Sequence, residues 1–315
     1  MMSLCQQPYR LACLAITAVF FGGGGLAAGT VQSVKWMEDR PSGVTMVQSR
    51  LATLGGSRLA RDPAKFTVHA VDLQAGEYTD PQTGKRMAYR YFLPPDLAPN
   101  AQVPLVLFLH GMGDGGRDNL RQLTVHEGPL AFVQPEWQKR FPCILVAPTD
   151  DRGIWVNASF DKPSESLRMA VAIVDKLAAE TGHVDARRLY VTGLSSGGIG
   201  TWEAVKKFPG KFAAAAPISA WYDIGPRKFW PKRMQTAVWA FYNSRETEGV
   251  RKGCNGTLGM VAKLGGEARM TVYAAGGHDA WSAAYKEPDF APWLFRQRLD
   301  GGAVAGTVVG KLAGK

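Results

Sequence analysis

A serine between closely spaced glycines is the strongest chemical signal in this sequence. It lies in the segment Val191-Thr192-Gly193-Leu194-Ser195-Ser196-Gly197-Gly198, which ends an apolar run and precedes a helix-forming stretch. A strand, a sharp turn and a helix in that order expose a serine hydroxyl above a sheet, and the glycines give the backbone room to turn. The pattern predicts that Ser195 is a nucleophile. The backbone N–H of Ser196 is then expected to stabilise an oxyanion.

A serine nucleophile needs a general base, and the position of His278 fits that role. His278 lies in Gly276-Gly277-His278-Asp279-Ala280-Trp281, directly after the last apolar run. From a loop at that point an imidazole can reach back across the ends of the strands. Nothing in the sequence predicts that the histidines at three other positions face the same edge: His69, His126 and His183.

The carboxylate that orients the histidine is expected after the apolar run 236–242. Glu246 is the first candidate there and Glu248 the second, and either could stabilise an imidazolium. Asp223 precedes the run and Asp279 adjoins the histidine that it would have to orient, so both fit less well. The alternative for Glu246 is a solvated glutamate on a charged loop.

A second oxyanion donor is expected from the glycine-rich segment that follows an earlier apolar run. This segment, Phe108 to Gly116, includes His110, and the predicted donor is the backbone N–H of Met112. The segment lacks the Gly-Lys-Ser/Thr ending and the glycine spacing of nucleotide-binding loops. It therefore does not predict a phosphate site.

The elements around these residues alternate between short apolar runs and helical patterns. Phe66–Leu73 and Met87–Leu93 are predicted to form an antiparallel pair around the turn Asp80–Gly84. Six further runs are predicted to be buried strands: Pro104–His110, Cys143–Pro148, Arg188–Leu194, Ala213–Ala220, Thr236–Tyr242 and Arg269–Ala275. Helices are predicted over Ser164–Thr181, with Ser164 as the cap, and over Ile199–Phe208. The fold class is therefore α/β, with a mainly parallel sheet covered by helices on both faces.

The two ends of the chain have different compositions from the centre. Arg10 followed by the apolar run Leu11–Phe21 and small residues predicts a signal peptide over 1–29, with an uncleaved membrane anchor as the alternative. Without that segment no stable membrane insertion is expected. A polar extension is predicted over 30–65, with a helix at Val44–Leu54, then one domain over 66–300 and a mobile low-complexity tail over 301–315.

Cysteine and histidine spacing gives no support for a metal site. Removal of the leader would leave Cys143 in an apolar run and Cys254 in a predicted glycine-containing loop, and the sequence leaves open whether they pair. The four cysteines and five histidines form neither a CxxC nor an HExxH pattern.

Composition indicates a globular protein with an excess of positive charge. The 315 residues are 46% hydrophobic and 20% charged, and the net charge is +10. Basic residues are densest over 227–252, beside the predicted acid, which favours an anionic ester or polymer, or a solvated rim, over a nucleic acid. Five tryptophans near strand ends either line a pocket or belong to the core: Trp155, Trp202, Trp221, Trp230 and Trp281.

Three segments together resemble a known family. Leu109–Asn119, Tyr190–Trp202 and Gly277–Trp281 are similar to α/β-hydrolase esterases often labelled predicted peptidases, and to phospholipase/carboxylesterases and polyhydroxyalkanoate depolymerases. The resemblance covers about Phe66 to Arg298 and implies an eight-stranded hydrolase sheet, a Ser-acid-His triad and no cofactor. Relatives typically have His-Gly-x-x-Asp after the seventh strand, whereas this chain has Tyr242-Asn243-Ser244-Arg245-Glu246.

The expected function is an exported, secreted or periplasmic serine hydrolase that cleaves small-molecule or polymeric carboxylic esters through an acyl-enzyme. Two alternatives remain open from the sequence. One is a serine peptidase of the same fold, and the other is a non-catalytic binding protein, which the missing aspartate allows.

Overall fold

The apolar runs pair into one twisted sheet. The computed structural model describes residues 41–49, 73–126, 128–223, 225–274 and 276–299, which belong to one compact unit that begins at residue 40. Within these residues the sheet has nine strands: β1 Thr45–Met46, β2 Gln74–Thr79, β3 Arg86–Phe92, β4 Val103–Leu109, β5 Ile144–Pro148, β6 Val184–Leu194, β7 Ala214–Ile218, β8 Ala237–Asn243 and β9 Ala268–Tyr273.

The strand order is β1-β9-β8-β7-β6-β4-β5-β3-β2. β3 pairs antiparallel with both β2 and β5, and the other neighbours pair in parallel. The predicted fold class, a mainly parallel sheet in an α/β protein, is confirmed. The carboxyl ends of β4 and β6 to β9 therefore lie along one edge, which is where open α/β sheets place their ligands.

Helices cover both faces of the sheet. The described helices are α1 Arg121–Thr124, α2 Gly128–Ala131, α3 Pro135–Arg140, α4 Glu165–Thr181, α5 Ser196–Lys207, α6 Glu248–Lys263, α7 Trp281–Ala284 and α8 Phe290–Arg296, with a short 3-10 helix at Arg227–Phe229. The long helices α4, α5 and α6 pack on one face, and apolar side chains from the region of the short helices form a second core cluster on the other face. None of these described helices is long and apolar enough to cross a membrane.

Helix α4 begins and ends where its sequence predicts. Ser164 caps it by accepting a hydrogen bond from the Leu167 N–H, at 3.1 Å. Gly182 ends it with φ 68°, a left-handed conformation that glycine adopts at little cost.

Two predictions near the amino end were wrong in detail. The sheet has nine described strands rather than eight, because the predicted helix 44–54 begins instead as the edge strand β1, and Val47 N–H donates to Met270 O at 2.8 Å. Residues 50–54 lie outside the described residues. The predicted strand 66–73 also lies outside them except for Leu73, and the strand that pairs with β3 is β2. β2 alternates exposed and half-buried residues at the sheet edge, so it lacks the apolar run that marks a buried strand.

Helix α6 was not predicted, and Cys254 lies in it rather than in a loop. Four glycines hid its periodicity, because glycine disfavours a helix interior. Two of them allow close packing: a Cβ on Gly253 would lie 2.7 Å from the Trp221 side chain, and one on Gly259 would lie 2.8 Å from Pro41. Cys143 and Cys254 are both buried free thiols, and burial raises the pKa of each to about 12.

Candidate active site

Ser195 lies in the sharp turn between β6 and α5. Its backbone has φ 53° and ψ −119°, a strained conformation for a residue with a side chain. Close packing requires both neighbouring glycines. A Cβ on Gly193 would lie 2.4 Å from the Gly197 carbonyl oxygen, and a Cβ on Gly197 would lie 1.9 Å from the Leu109 carbonyl oxygen. The predicted order of strand, turn and helix around this serine is confirmed.

The structure brings Ser195, His278 and Glu246 together. The Nε2 atom of His278 lies 2.8 Å from Ser195 Oγ, and its Nδ1 atom lies 2.8 Å from Glu246 Oε1. Because an ionised carboxylate only accepts hydrogen bonds, this arrangement places the imidazole proton on Nδ1 and leaves Nε2 to accept from the serine hydroxyl. The His278 side chain is 41% exposed and that of Glu246 only 2%. The hydrogen-bonded chain therefore runs from an accessible serine to a buried carboxylate.

Asn243 joins the loop of Glu246 to the loop of His278. Its carbonyl oxygen accepts from the Glu246 N–H at 3.0 Å, and its side-chain amide donates to the Gly277 carbonyl at 2.8 Å. On the other side of the turn, Ala280 N–H donates to Ser219 Oγ at 3.2 Å. These bonds fix both loops at the carboxyl ends of their strands.

The other candidate carboxylates bond to different groups. Glu248 begins α6, is 68% exposed and pairs with Lys252 at 2.6 Å. Asp223 is exposed and accepts from the Gly225 N–H at 2.9 Å. Asp279 accepts from the Asn243 amide at 3.2 Å. Glu246 is thus the candidate among them that the structure places against His278.

Ser196 and Met112 both lie next to Gly153. Ser196 is the first residue of α5, so its N–H has no partner within the helix, while its hydroxyl donates to Gly153 O at 2.5 Å. A Cβ on Gly153 would lie 2.9 Å from Met112 Cα. The two predicted oxyanion donors therefore belong to neighbouring loops at the same edge of the sheet.

His110 holds the Met112 loop in place. Its Nε2 atom accepts from the Asp150 N–H at 3.0 Å and its Nδ1 atom lies 2.8 Å from Gly111 O, a carbonyl to which it can only donate. Burial lowers the pKa of His110, so the neutral ring is favoured. Trp155 Nε1 donates to the His110 carbonyl at 2.8 Å. These contacts indicate that His110 stabilises the loop beside the site.

Sequence reasoning missed His126. Its Nε2 atom lies 3.2 Å from Asp114 Oδ2, and that same oxygen accepts from the Gly111 N–H at 3.1 Å. The ring also contacts Trp281, with centroids 4.9 Å apart, and Trp281 in turn meets the His278 ring edge-on at 5.7 Å. The position of His126 after a four-residue helix gave no periodic signal that it would reach this edge.

Most of the five tryptophans are core residues. Trp155 and Trp202 are fully buried and Trp230 is 4% exposed, while Trp221 is half-buried. Trp281 is 8% exposed and lies directly against His278. Trp281 is therefore the tryptophan whose ring contacts a member of the hydrogen-bonded chain.

The chain is similar to proteins named as esterases, in part of its sequence and in its fold. No family model matches the sequence. The chain is 30% identical over 152 residues to a bifunctional acetylxylan esterase/xylanase of Neocallimastix patriciarum, a match that spans 48% of this chain and 20% of that protein. Its structure is similar to a thermostable esterase at 32% identity, with a TM-score of 0.66 over 73% of this chain and 64% of the other.

A more distant structural similarity extends over nearly all of a smaller protein. A feruloyl esterase module from Clostridium thermocellum, complexed with sinapinate, matches with a TM-score of 0.53 at 17% identity, over 80% of this chain and 95% of the module. The chain spans a fifth of the acetylxylan esterase/xylanase and about two thirds of the thermostable esterase. Sheet order, strand directions and these similarities together show that the chain has the α/β-hydrolase fold.

Proposed function

We propose that this protein is a serine hydrolase that cleaves carboxylic esters. The observation that carries the proposal is the chain of two 2.8 Å hydrogen bonds from Ser195 through His278 to Glu246. Along the chain the nucleophile Ser195 comes first, the orienting acid Glu246 second and the base His278 last, which is the order typical of the α/β-hydrolase fold. A glutamate takes the place of the aspartate that the resemblance implied, and its contact with the imidazole argues against a non-catalytic binding protein.

In the proposed mechanism Ser195 Oγ attacks the ester carbonyl carbon while His278 Nε2 takes the serine proton. Glu246 stabilises the imidazolium and keeps the ring oriented. The N–H groups of Ser196 and Met112 stabilise the negative oxygen of the tetrahedral intermediate. His278 then protonates the leaving alcohol, and an acyl-enzyme remains. Water activated by His278 releases the acid by the same steps.

Ester cleavage is favoured over peptide cleavage by sequence similarity. The two matches at 30% and 32% identity are both called esterases, and one of them is named for acetylxylan. We extend the proposal to acyl esters carried on small molecules or on polymers. Export of the protein rests on the predicted leader, which lies outside the described residues.

A fluorophosphonate probe tests for the activated serine. The wild-type protein should be labelled, Ser195→Ala should not, and turnover should fall at least about 10⁴-fold. Ser42→Ala is the control, because Ser42 is an exposed serine just before the edge strand β1, away from the carboxyl ends of the strands. Labelling that survives Ser195→Ala would remove the nucleophile assignment. Faster hydrolysis of peptide amides than of p-nitrophenyl esters would favour the peptidase.

A further inference from the structure

A loop at residues 153–163 runs along the outside of helix α5. It begins where the Gly153 carbonyl accepts from Ser196, at the first residue of the helix. It ends near the last residue, where Lys207 Nζ donates to Ser159 O at 2.9 Å and to Lys162 O at 3.2 Å. Eleven residues of helix separate these points, so the loop connects the site to a surface about 16 Å away.

That surface carries a pair of stacked aromatic rings, of which Phe160 is exposed and Phe229 is half-buried. Phe160 and Phe229 have centroids 5.9 Å apart and an angle of 13° between their planes. Phe160 is 37% exposed, and among the described residues only Met112, in the predicted oxyanion loop, is a large apolar side chain of comparable exposure. Phe160 also packs against Gly225, where a Cβ would lie 2.5 Å from its ring.

A buried ammonium group fixes this aromatic pair to helix α5. Lys206 is 2% exposed, and its Nζ atom has no hydrogen-bond partner. It lies 5.3 Å from the ring centre of Phe160, 5.2 Å from that of Tyr222 and 5.7 Å from that of Trp230. Because the face of an aromatic ring attracts a cation, these contacts hold the loops on the helix.

Four exposed cations lie on the segment that carries Phe229, and the Nζ atom of one of them, Lys228, lies 5.0 Å from the Phe229 ring centre: Arg227, Lys228, Lys232 and Arg233. None of the four forms an ion pair with an acidic side chain among the described residues, although Arg227 donates to the Trp230 and Lys232 carbonyls. Elsewhere exposed lysines do pair, as Lys252 does with Glu248. The exposed acidic residues of the same loops, Asp161 and Asp223, are fewer than the cations. The surface is therefore free to attract an anion.

We propose that Phe160, Phe229 and these four cations form a docking surface for a carboxylate-bearing polysaccharide whose hydroxyl groups carry the esters that the site cleaves. This inference rests on the proposed function. A single small ester cannot reach both Ser195 and a surface about 16 Å away, whereas a polymer can. Uronate-type carboxylates would form ion pairs with the cations, and the apolar face of a sugar ring would pack on the phenylalanine pair.

A polysaccharide is favoured over a nucleic acid by the chemistry of the substrate. Sugar hydroxyls are sites of acylation, so one polymer can present both the ester and the negative charge. The phosphates of a nucleic acid would supply the charge without such an ester. Competition by DNA therefore discriminates between the two polymers.

The test measures acetate release from O-acetylated polygalacturonate and from the same polymer after its carboxyl groups are reduced. The KM for the charged polymer should rise about fivefold between 20 and 300 mM NaCl, and the KM for the neutral polymer should not. Lys228→Gln/Arg233→Gln should raise the KM for the charged polymer about fivefold at low salt. The matched control is Lys139→Gln/Arg140→Gln, two exposed cations on α3, whose Trp137 packs on the other core cluster.

Hydrolysis of p-nitrophenyl acetate by the wild-type protein separates the two proposals. No hydrolysis would mean that the proposed function fails. Hydrolysis together with equal KM values for both polymers, with a salt-independent KM, or with no acetate release from the polymer would overturn the docking surface alone. DNA that inhibits at lower concentration than deacetylated polygalacturonate would also overturn it.

Discussion

Glu203 and Glu246 are both almost completely buried, at 1% and 4% exposure, but they lie in opposite kinds of surroundings. Glu246 lies on a loop and contacts the exposed imidazole of His278, whose other nitrogen lies 2.8 Å from Ser195 Oγ. Glu203 lies within helix α5, where its carboxylate accepts a hydrogen bond from the Tyr222 hydroxyl and lies 3.7 Å from Lys207 Nζ. One carboxylate is connected to solvent through a chain of titratable groups, and the other is enclosed.

Burial alone therefore does not identify a catalytic acid. Burial raises the pKa of Glu203 and lowers that of its neighbour Lys206, so this cluster is strongly perturbed without any reactive group beside it. We propose Glu246 as the acid because of its contact with His278 rather than because of its burial. We therefore expect changes at Glu246 to act on the rate and changes at Glu203 to act on stability.

The largest effect is expected from Glu246→Gln. The amide keeps the shape of the side chain but cannot stabilise an imidazolium, so kcat for p-nitrophenyl acetate should fall by about 10³- to 10⁴-fold. The free energy of unfolding in urea should change by less than about 1 kcal/mol. Glu248→Gln is the matched control, since Glu248 is exposed and bonds to Lys252. A larger loss of kcat in Glu248→Gln would transfer the role to that residue.

Glu203→Ala should show the reverse pattern. It removes the buried carboxylate that accepts a hydrogen bond from Tyr222 and lies 3.7 Å from Lys207 Nζ, so the free energy of unfolding should fall by about 3 kcal/mol. The protein that remains folded should keep kcat within about threefold, because Glu203 has no contact with His278 among the described residues. A loss of kcat comparable to that of Glu246→Gln, with an unchanged free energy of unfolding, would contradict the expectation that Glu203 acts on stability rather than on the rate.

The sequence predicted Glu246 because its neighbours along the chain identify it. Ser195 is marked by its glycines, His278 by its place after the last strand and Glu246 by its place after β8, all of which are local signals. The same reasoning predicted the parallel strands, since each is a buried apolar run. Nine described strands instead of eight arose from a two-residue edge strand, which is too short to show a period.

The enclosed cluster could not be predicted in this way. Glu203 and Lys206 lie on one helix, but Phe160 and Tyr222 reach them from separate loops. His126 likewise contacts Trp281, which lies much further along the chain. Pairings between irregular segments leave no periodicity, so only the folded chain shows them.

The raised pKa of Glu203 predicts a pH dependence of stability. Above its ordinary value of 4.5 the unfolded chain loses the proton, while the folded protein keeps it until the higher pKa is reached. The folded state then binds more protons, so this group's contribution to the free energy of unfolding falls as pH rises, by up to about 1.4 kcal/mol per pH unit. Urea titrations of the wild type and of Glu203→Gln between pH 5 and 7 measure how the difference in their free energies of unfolding changes with pH. A difference between the two proteins that stays constant from pH 5 to 7 would instead show that Glu203 is already ionised in the folded protein.

The smallest effect is expected from Tyr222→Phe, which removes the hydroxyl that donates to Glu203. The loss in the free energy of unfolding should be about 1 kcal/mol while Glu203 is protonated and about 2 kcal/mol after it ionises, because a hydrogen bond to a charged acceptor is stronger. Tyr242→Phe is the control, since the Tyr242 hydroxyl donates to the neutral amide oxygen of Asn255 at 3.1 Å. The loss in the free energy of unfolding caused by Tyr242→Phe should stay constant with pH. If the losses in the free energy of unfolding of the two variants change with pH in the same way, Glu203 does not change its charge in this range. If they diverge, the pH at which they diverge is the pH at which Glu203 titrates, measured in a protein that keeps the carboxylate.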